Sequence, residues 1–275
     1  MLTIKMFPIN IVIRRTLATE RVSISNVFFR EDVQQLLKDI TRYEESKIFG
    51  RRKMKQLKSP KFVFMTDEQL ERAKEDAYRN VRAKLQMPPV LEPNTEPPAV
   101  LARDDEIVGY TKFKIMFIDI TPGHTNRSRL MSVREPDGTL RYPTHNERSR
   151  LNHIFYPKES RTIDPPKLFE DKYLRALLEK GQYLYVLDRA CIQFEPDDPL
   201  YVNVTSKVYD YIDEGRDYDK LRSTRHFGPM CLYLAYNKRA DNLMAEMSSK
   251  GYKEDVEKLV KLLEICQQPK INASV

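Results

Sequence analysis

Histidines and clustered carboxylates are the side chains whose types could support acid–base or metal chemistry in this chain. The four histidines are His124, His145, His153 and His226. A zinc site needs ligands in close pairs, such as two histidines separated by three to five residues. His145 and His153 share a predicted helix but lie eight residues apart. We therefore predict helix-cap and surface roles for the histidines and no metal site.

Two groups of carboxylates could bind Mg²⁺ or exchange protons. The first contains Glu195, Asp197 and Asp198, and the second occupies residues 104–106. Asp198 directly precedes Pro199, which is the arrangement of a helix N-cap followed by proline at the first helical position. The second group is typical of a solvated approach to a strand. Both groups thus favour local structural roles over catalysis.

The chain also lacks the backbone motifs on which nucleotide and acyl-transfer sites are built. It has only eight glycines, no Gly-rich phosphate loop and no G-x-S-x-G motif. The three cysteines, Cys191, Cys231 and Cys266, are widely spaced and fall at apolar helix positions, which argues against a disulfide framework and against zinc. We predict buried free thiols, no cofactor, no small-molecule substrate and no enzymatic activity.

A run of uncompensated basic side chains is the stronger chemical signal. Between Ser46 and Thr66 the sequence has seven lysines and arginines and no acidic residue. Their spacing is too irregular for one helix face, and long basic side chains on extended backbone can follow phosphates without reading bases. We predict that this basic run contacts RNA or an acidic partner. Its members are Lys47, Arg51, Arg52, Lys53, Lys55, Lys58 and Lys61.

Two further groups of basic residues are candidate contact sites. The first is all arginine and lies on a predicted hairpin and the helix beside it. Arginine can hold a phosphate or a carboxylate through two parallel hydrogen bonds, although a chain with 32% charged residues must also place many charges on its surface without a partner. The members are Arg127, Arg129, Arg134, Arg141, Arg148 and Arg150. The second group is Arg222 and Arg225 in the segment 218–230, YDKLRSTRHFGPM, which predicts a helix junction with a basic, aromatic surface.

The net charge of +7 is concentrated at one end of the chain. Residues 1–66 contain fourteen basic and six acidic residues, whereas the remainder contains thirty-three and thirty-four. Residues 1–19 contain Lys5, Arg14 and Arg15 and no acid, with apolar and hydroxylated residues interleaved, as in a mitochondrial presequence. The apolar run before Arg14 is far shorter than the ~20 residues that span a membrane. The sequence predicts a basic N-terminal arm on a neutral body.

Apolar periodicity and turn signals predict an α+β fold that is mostly helical. The predicted parts are a presequence (1–19), a basic N-terminal arm with a short helix (20–66), a helix and Pro-rich linker (67–99), a small α+β region (100–165) and a C-terminal antiparallel helical array (166–275). In the α+β region, residues 110–120 resemble a strand that enters a core. Residues 129–134 and 139–142 flank the hairpin turn Pro136-Asp137-Gly138.

Helical spacing of apolar residues predicts which faces are buried. Thr66 and Thr144 each open a capping box, in which a threonine N-cap is followed three residues later by Gln or Glu. The predicted inward residues of the first half are Val33, Leu36, Leu37, Ile40, Leu70, Ala73, Ala77, Val81, Leu85, Leu151, Ile154 and Phe155. Those of the second half are Tyr173, Leu174, Leu177, Leu178, Leu184, Leu187, Cys191, Phe194, Tyr201, Val204, Val208, Tyr211, Ile212, Phe227, Met230, Cys231, Leu234, Val256, Leu259, Val260 and Leu263.

Five segments together resemble one known family. They are RAKLQMPPVLE (82–92), VREPDGTLR (133–141), ERSRLNHIFYPKESR (147–161), QFEPDD (193–198) and the segment 218–230. In this order they resemble the mitochondria-specific proteins of the small ribosomal subunit that carry the number twenty-two. Because five separate matches cover roughly residues 30–265, chance agreement is a poor explanation. None of the five is a catalytic signature.

The resemblance implies a structural component of the small subunit of the mitochondrial ribosome, located in the mitochondrial matrix. Its implied partners are other small-subunit proteins and small-subunit rRNA, with no membrane span. The alternative is a transient mitochondrial RNA-binding factor that acts in RNA processing or ribosome assembly. A permanent subunit should remain with the particle at high salt, whereas phosphate contacts of a transient factor weaken.

Overall fold

Local capping and turn signals set the element boundaries of this chain. A computed structural model describes residues 22–42, 44–48, 62–95, 97–126 and 128–267. The predicted presequence, Arg127 and most of the basic run (Arg51, Arg52, Lys53, Lys55, Lys58 and Lys61) therefore lie outside the described residues. The helices that precede the sheet are α1 (Ile24–Phe28), α2 (Glu31–Thr41), α3 (Glu45–Ile48) and α4 (Asp67–Lys84).

A four-stranded antiparallel sheet with strand order β1-β4-β3-β2 occupies the middle of the chain. The strands are β1 (Val100–Arg103), β2 (Ile115–Ile118), β3 (Met131–Arg134) and β4 (Thr139–Arg141). The predicted hairpin is confirmed, because β3 and β4 pair around the turn at Gly138, whose φ of 82° is available to glycine at little cost. Sequence reasoning did not predict β1, which has four residues and no buried side chain.

Helices follow the sheet to the end of the described chain. They are α5 (His145–Phe155), α6 (Asp171–Glu179), α7 (Tyr183–Gln193), α8 (Pro199–Gly215), α9 (Phe227–Tyr236), α10 (Asp241–Ser249) and α11 (Lys253–Gln267). Both predicted capping boxes are present, at Thr66 and at Thr144. Asp198 caps α8 through a 2.8 Å hydrogen bond from the backbone N–H of Leu200. The prediction of a mostly helical α+β fold is confirmed.

The main core combines the beginning and the end of the chain. Side chains of α1 and α2, including Val27, Val33 and Leu37, are fully or almost fully buried among those of α6 to α11. Met131 and Val133 of β3 and Leu151 of α5 are also buried, but they lie outside that cluster. The first helices of the predicted basic arm are thus part of the core that the C-terminal helices form.

The predicted strand that enters a core is wrong. Within residues 110–120 only Ile115–Ile118 form a strand, and this strand lies at the edge of the sheet. Ile115, Met116 and Phe117 are exposed by 39%, 37% and 47%. The apolar run there has no layer above it among the described residues, so apolar composition alone did not indicate burial.

Several predicted inward residues are also exposed. Ile154 and Phe155 lie at the end of α5, beyond Leu151, which is the buried residue of that face. Leu70, Tyr173, Leu184 and Val260 are exposed as well. In α7 the buried face runs through Tyr183, Val186, Leu187 and Ala190, and in α11 through Asp255, Leu259, Leu262 and Cys266.

The Pro-rich segment after α4 packs on the helices that follow it. Residues 88–93 and the side chains of α8 and α9 line an apolar cavity of about 180 Å³, in which Tyr201, Tyr209 and Tyr233 face the prolines. Met87 and Val90 pack against the main core. In the described part of the chain, no helix has both the length and the apolar composition needed to cross a membrane.

Candidate interaction sites

The basic residues predicted to contact a partner occupy very different environments. Lys47 is the member of the basic run that the structure describes. Its ammonium lies 3.0 Å from the Glu44 carboxylate and 3.3 Å from the backbone oxygen of Asp219. Lys47 therefore ties α3 to the turn before α9, with its side chain still 38% exposed.

Arg129 is a structural residue. It is 4% exposed, and its guanidinium donates to the backbone oxygens of Asp119 (2.7 Å) and His124 (3.0 Å). It also donates to the Tyr156 hydroxyl at 3.0 Å and lies 3.7 Å from the centre of that ring. This guanidinium holds the loop between β2 and β3 against the end of α5. In this conformation Arg129 is therefore not available for contact with a partner.

Arg141 and Arg148 also hold the sheet on α5. Arg141 Nη1 lies 2.8 Å from Glu147 Oε2, and the same guanidinium pairs with Glu135. Glu147 accepts in addition from Lys114 at 2.5 Å and closes the Thr144 capping box. Its hydrogen bond from Arg141 holds the pKa of Glu147 far below its usual range. Arg148 Nη1 donates to the backbone oxygen of Arg129 at 3.1 Å.

Among the described arginines of this group, Arg134 and Arg150 remain available to a partner. Arg150 is exposed on α5, and the described residues supply it with no ion-pair partner. Arg134 is half-buried on the face of the sheet that also carries its cross-strand neighbours Ile115 and Leu140. Its Nε is shielded from water and has no hydrogen-bond partner in the described part of the structure. Arg134 therefore presents an uncompensated charge among apolar side chains.

The predicted basic, aromatic surface at residues 218–230 is wrong. Tyr218, His226 and Phe227 are each 0% exposed, and Arg222 is 1% exposed. Arg222 Nη2 lies 2.8 Å from Glu246, its Nε lies 3.2 Å from Asp219, and its guanidinium carbon lies 4.9 Å from the ring centre of Phe227. A buried cluster of basic and aromatic side chains has the same composition as an exposed binding surface. The composition of this segment therefore did not distinguish the two.

Arg225 and His226 share one carboxylate. Asp188 Oδ1 lies 2.5 Å from Arg225 Nη2 and 3.0 Å from His226 Nε2. Burial lowers the pKa of His226, so the imidazole is neutral at pH 7. Arg225 keeps part of its surface exposed, whereas His226 serves only the interior. The predicted surface role of His226 is therefore also wrong.

Sequence reasoning missed an ion pair between the C-cap of α2 and helix α11. Arg42, after α2, pairs with Asp255 of α11, which is 2% exposed, and lies 3.9 Å from the centre of the Tyr252 ring. Arg42 adopts a positive φ of 57°. The buried acid in α11 was a possible signal, since an apolar stripe that includes an aspartate must supply it with a partner.

The remaining titratable groups form a polar contact between the α5 region and the helical array. His145 Nε2 lies 3.1 Å from Asp198 Oδ2, and that hydrogen bond raises the pKa of His145. Arg161 lies 2.8 Å from Glu195. The nearby polar cavity has a volume of about 260 Å³. Among the described residues, no group of three or more His, Cys, Asp or Glu could hold a metal ion.

The cysteines are free, as predicted. Cys231 and Cys266 are buried, and Cys191 is partly buried. Burial raises the pKa of the Cys231 thiol to about 12 and that of Cys266 to about 11. Protonated, enclosed thiols are poor nucleophiles, so these residues serve packing.

Comparison with known proteins identifies the relatives of this chain. The model of the family described as mitochondrial 28S ribosomal protein S22 matches residues 26–268. Small ribosomal subunit protein mS22 of Mus musculus is 37% identical over 254 residues, which cover 90% of this chain and 70% of the mouse protein. The protein of the same name in Bos taurus is 37% identical over 238 residues, which cover 86% of this chain and 66% of the bovine protein.

Proposed function

The chain belongs to the mitochondrial 28S ribosomal protein S22 family, and from that membership we propose that it is a structural component of the small subunit of the mitochondrial ribosome. The match to residues 26–268 is the observation that carries this conclusion. The family is structural, so the chain supports mitochondrial translation through contacts and not through catalysis. Its location is mitochondrial, and we propose the matrix as the compartment.

The distribution of charge supports contacts with both rRNA and protein. Residues 47–61 supply seven basic residues and no acidic one, and phosphate contacts made by such residues position a protein without reading sequence. The body from residue 67 onward has nearly balanced charge. We assign the rRNA contact to the basic run and protein contacts to the body.

Within the body, Arg134 and Arg150 remain candidate contacts, together with Arg127, which lies outside the described residues. Arg129, Arg141 and Arg148 are engaged inside the protein by backbone oxygens and carboxylates. Arg134 lies on a sheet face with Ile115 and Leu140, and an arginine surrounded by apolar side chains is a common energetic centre of protein interfaces. Because the Nε is enclosed, a carboxylate of a neighbouring protein would pair with the Nη atoms of this guanidinium.

Sedimentation of a mitochondrial lysate through a gradient at high salt tests this function. We expect the chain to sediment with small-subunit rRNA, because an integrated subunit is held by many buried protein contacts as well as by salt-sensitive phosphate contacts. Immunodetection of the chain beside the rRNA is the measurement. If the chain instead runs as a free protein of 32.5 kDa at high salt, the structural function is overturned and the transient RNA-binding function replaces it.

A further inference from the structure

Helix α4 has an almost completely uncovered surface. Of its 18 residues only Val81, near its C-terminal end, is buried. A helix of this length is marginally stable by itself in water and normally gains its stability by packing an apolar face. The described part of the chain therefore leaves most of this amphipathic helix without a packing contact that would stabilise it.

The exposed face of α4 is apolar, and at the C-terminal end of the helix it continues into the part that packs on the body. Leu70, Ala73, Ala77 and Val81 follow helical spacing along a single stripe. Val81 is 2% exposed where the stripe meets the body, whereas Leu70 is 44% exposed at the other end. The stripe thus leads outward from the body and loses its cover within four turns.

Four apolar residues directly before the N-cap enlarge this face. Phe62 and Val63 are 94% and 65% exposed, Phe64 is fully exposed, and Met65 is 49% exposed. Met65 and Leu70 occupy the two positions of a hydrophobic staple around the Thr66 cap. Large consecutive apolar side chains in water are the sign of a binding surface.

The charge of α4 selects the class of partner. Residues 67–76 contain five acidic and two basic residues, a net charge of −3. RNA phosphates would be repelled by this surface, whereas a protein groove with basic residues on its rim would be attracted. The net charge therefore changes from positive to negative between residues 47–61, whose charged residues are all basic, and residues 67–76.

We propose that residues 62–65 and the stripe of α4 form a protein-docking site, which inserts into an apolar groove with a basic rim on another protein of the small subunit. An amphipathic helix laid into an apolar groove is a common mode of recognition. Phe62, Phe64 and Leu70 fill the groove, and Glu71 and Asp76, which flank the stripe on its two sides, meet its rim. The proposal rests on the proposed ribosomal function, and it divides the N-terminal part into an RNA-binding run and a protein-binding helix.

A triple variant of the full chain, Phe62→Ser, Phe64→Ser and Leu70→Ser, tests the docking site. Because these side chains are exposed, the purified variant should keep the wild-type melting temperature. The matched control is Arg72→Ser with Arg79→Ser, which changes the opposite face of the same helix. We expect the triple variant to be bound to the small subunit at least about tenfold more weakly than wild type, since central apolar anchors carry most of the binding energy at interfaces. The control variant should bind as wild type does.

Photo-crosslinking from position 64 identifies the occupant. A photoreactive amino acid replaces Phe64, particles are irradiated, and the attached peptide or nucleotide is identified by mass spectrometry. We expect a peptide from another small-subunit protein, at a site with apolar residues and flanking lysines or arginines. A crosslink to rRNA, to a second copy of this chain or to its own residues would overturn the proposal.

Wild-type sedimentation separates failure of the docking site from failure of the proposed function. If the wild-type chain does not sediment with the small subunit, the function itself fails. If wild type sediments and the triple variant binds equally well, only the docking site fails. A second variant, Glu71→Lys with Asp76→Lys, should also weaken binding, and tighter binding of this variant would contradict a basic rim.

Discussion

The environment of a basic residue in this chain depends on whether a carboxylate lies close enough to pair with it. Arg222 and Arg150 have the same side chain, yet Arg222 is 1% exposed between two carboxylates and Arg150 is exposed without an ion-pair partner among the described residues. Composition around each arginine does not distinguish the two environments, because the carboxylates that bury Arg222 include Glu246, which is distant in sequence. The sequence alone therefore did not distinguish the buried arginine from the exposed one.

Arg222→Ala tests the buried role of this residue. Removal of the guanidinium leaves Glu246, whose side chain is 11% exposed, with Lys250 alone as its ion-pair partner. Breaking a buried pair on one side costs roughly 3 kcal/mol, so we expect the free energy of unfolding to fall by about that amount. Urea unfolding of the purified chain followed by circular dichroism is the measurement.

Arg150→Ala is the matched control for that experiment. The same truncation at an exposed site should change the free energy of unfolding by less than about 0.5 kcal/mol. Equal effects of the two substitutions would show that Arg222 does not hold the cluster of Asp219, Glu246 and Phe227 together.

At the scale of elements, helices were predicted well and their buried faces less well. Capping boxes at Thr66 and Thr144 and the Asp198-Pro199 start are local signals, and all three are confirmed. Buried faces depend on distant partners. In α7 the apolar residues fit two helical stripes, and Tyr183 belongs to the buried one because its hydroxyl donates to Asp217 at 2.8 Å.

Helix α11 shows why the buried face of a helix is predicted less well than its boundaries. Its apolar residues alone place Val260 on the buried face, but Val260 is 40% exposed. The buried face is rotated toward Asp255, which pairs with Arg42 after α2. This ion pair joins residues that are distant in sequence, so no local pattern contains it.

The stability that the contact between α5 and α8 contributes should depend on pH. His145 at the start of α5 donates to the Asp198 cap of α8, and this hydrogen bond, with smaller contributions from Asp197 and Glu195, raises the pKa of His145 above its usual value near 6.5. A raised pKa in the folded state stabilises the fold below the unfolded pKa, and this contribution is lost as pH rises through the folded pKa. We expect the melting temperature to include a stabilising contribution that is complete below the ordinary histidine pKa near 6.5 and is lost as the pH rises above it.

Asp198→Asn separates this effect from helix capping. Asparagine caps helices about as well as aspartate, so α8 should keep its start while His145 loses the charge that raises its pKa. Thermal unfolding of wild type and variant at several pH values is the measurement. The difference between them should be largest at the acidic end of the range, and a difference that grows toward alkaline pH would contradict the assignment to His145.

Across the whole molecule, the two ends of the described chain form one core. α2 packs against α9 and α11, Tyr236 donates to the backbone oxygen of Val22 at 3.1 Å, and Gly228 lies where an added Cβ would meet Leu37 Cβ at 3.3 Å. The Pro-rich segment crosses the outside of α8 and α9. The small sheet and α4 lie outside this core, so the molecule has a closed helical body and projecting parts available to neighbours.

Leu37→Ala tests whether α2 is an integral part of that body. Leu37 is 0% exposed among helices that lie about two hundred residues later in the sequence, and truncation of a buried leucine costs about 2–5 kcal/mol. We expect cooperative loss of stability in the whole helical body, measured by urea unfolding. Leu70→Ala, the same substitution on exposed α4, should cost less than about 1 kcal/mol because it creates no cavity. If Leu37→Ala lowers the free energy of unfolding no more than Leu70→Ala does, the helical body is stable without the N-terminal helices. The basic run would then follow helices that are not an integral part of the body.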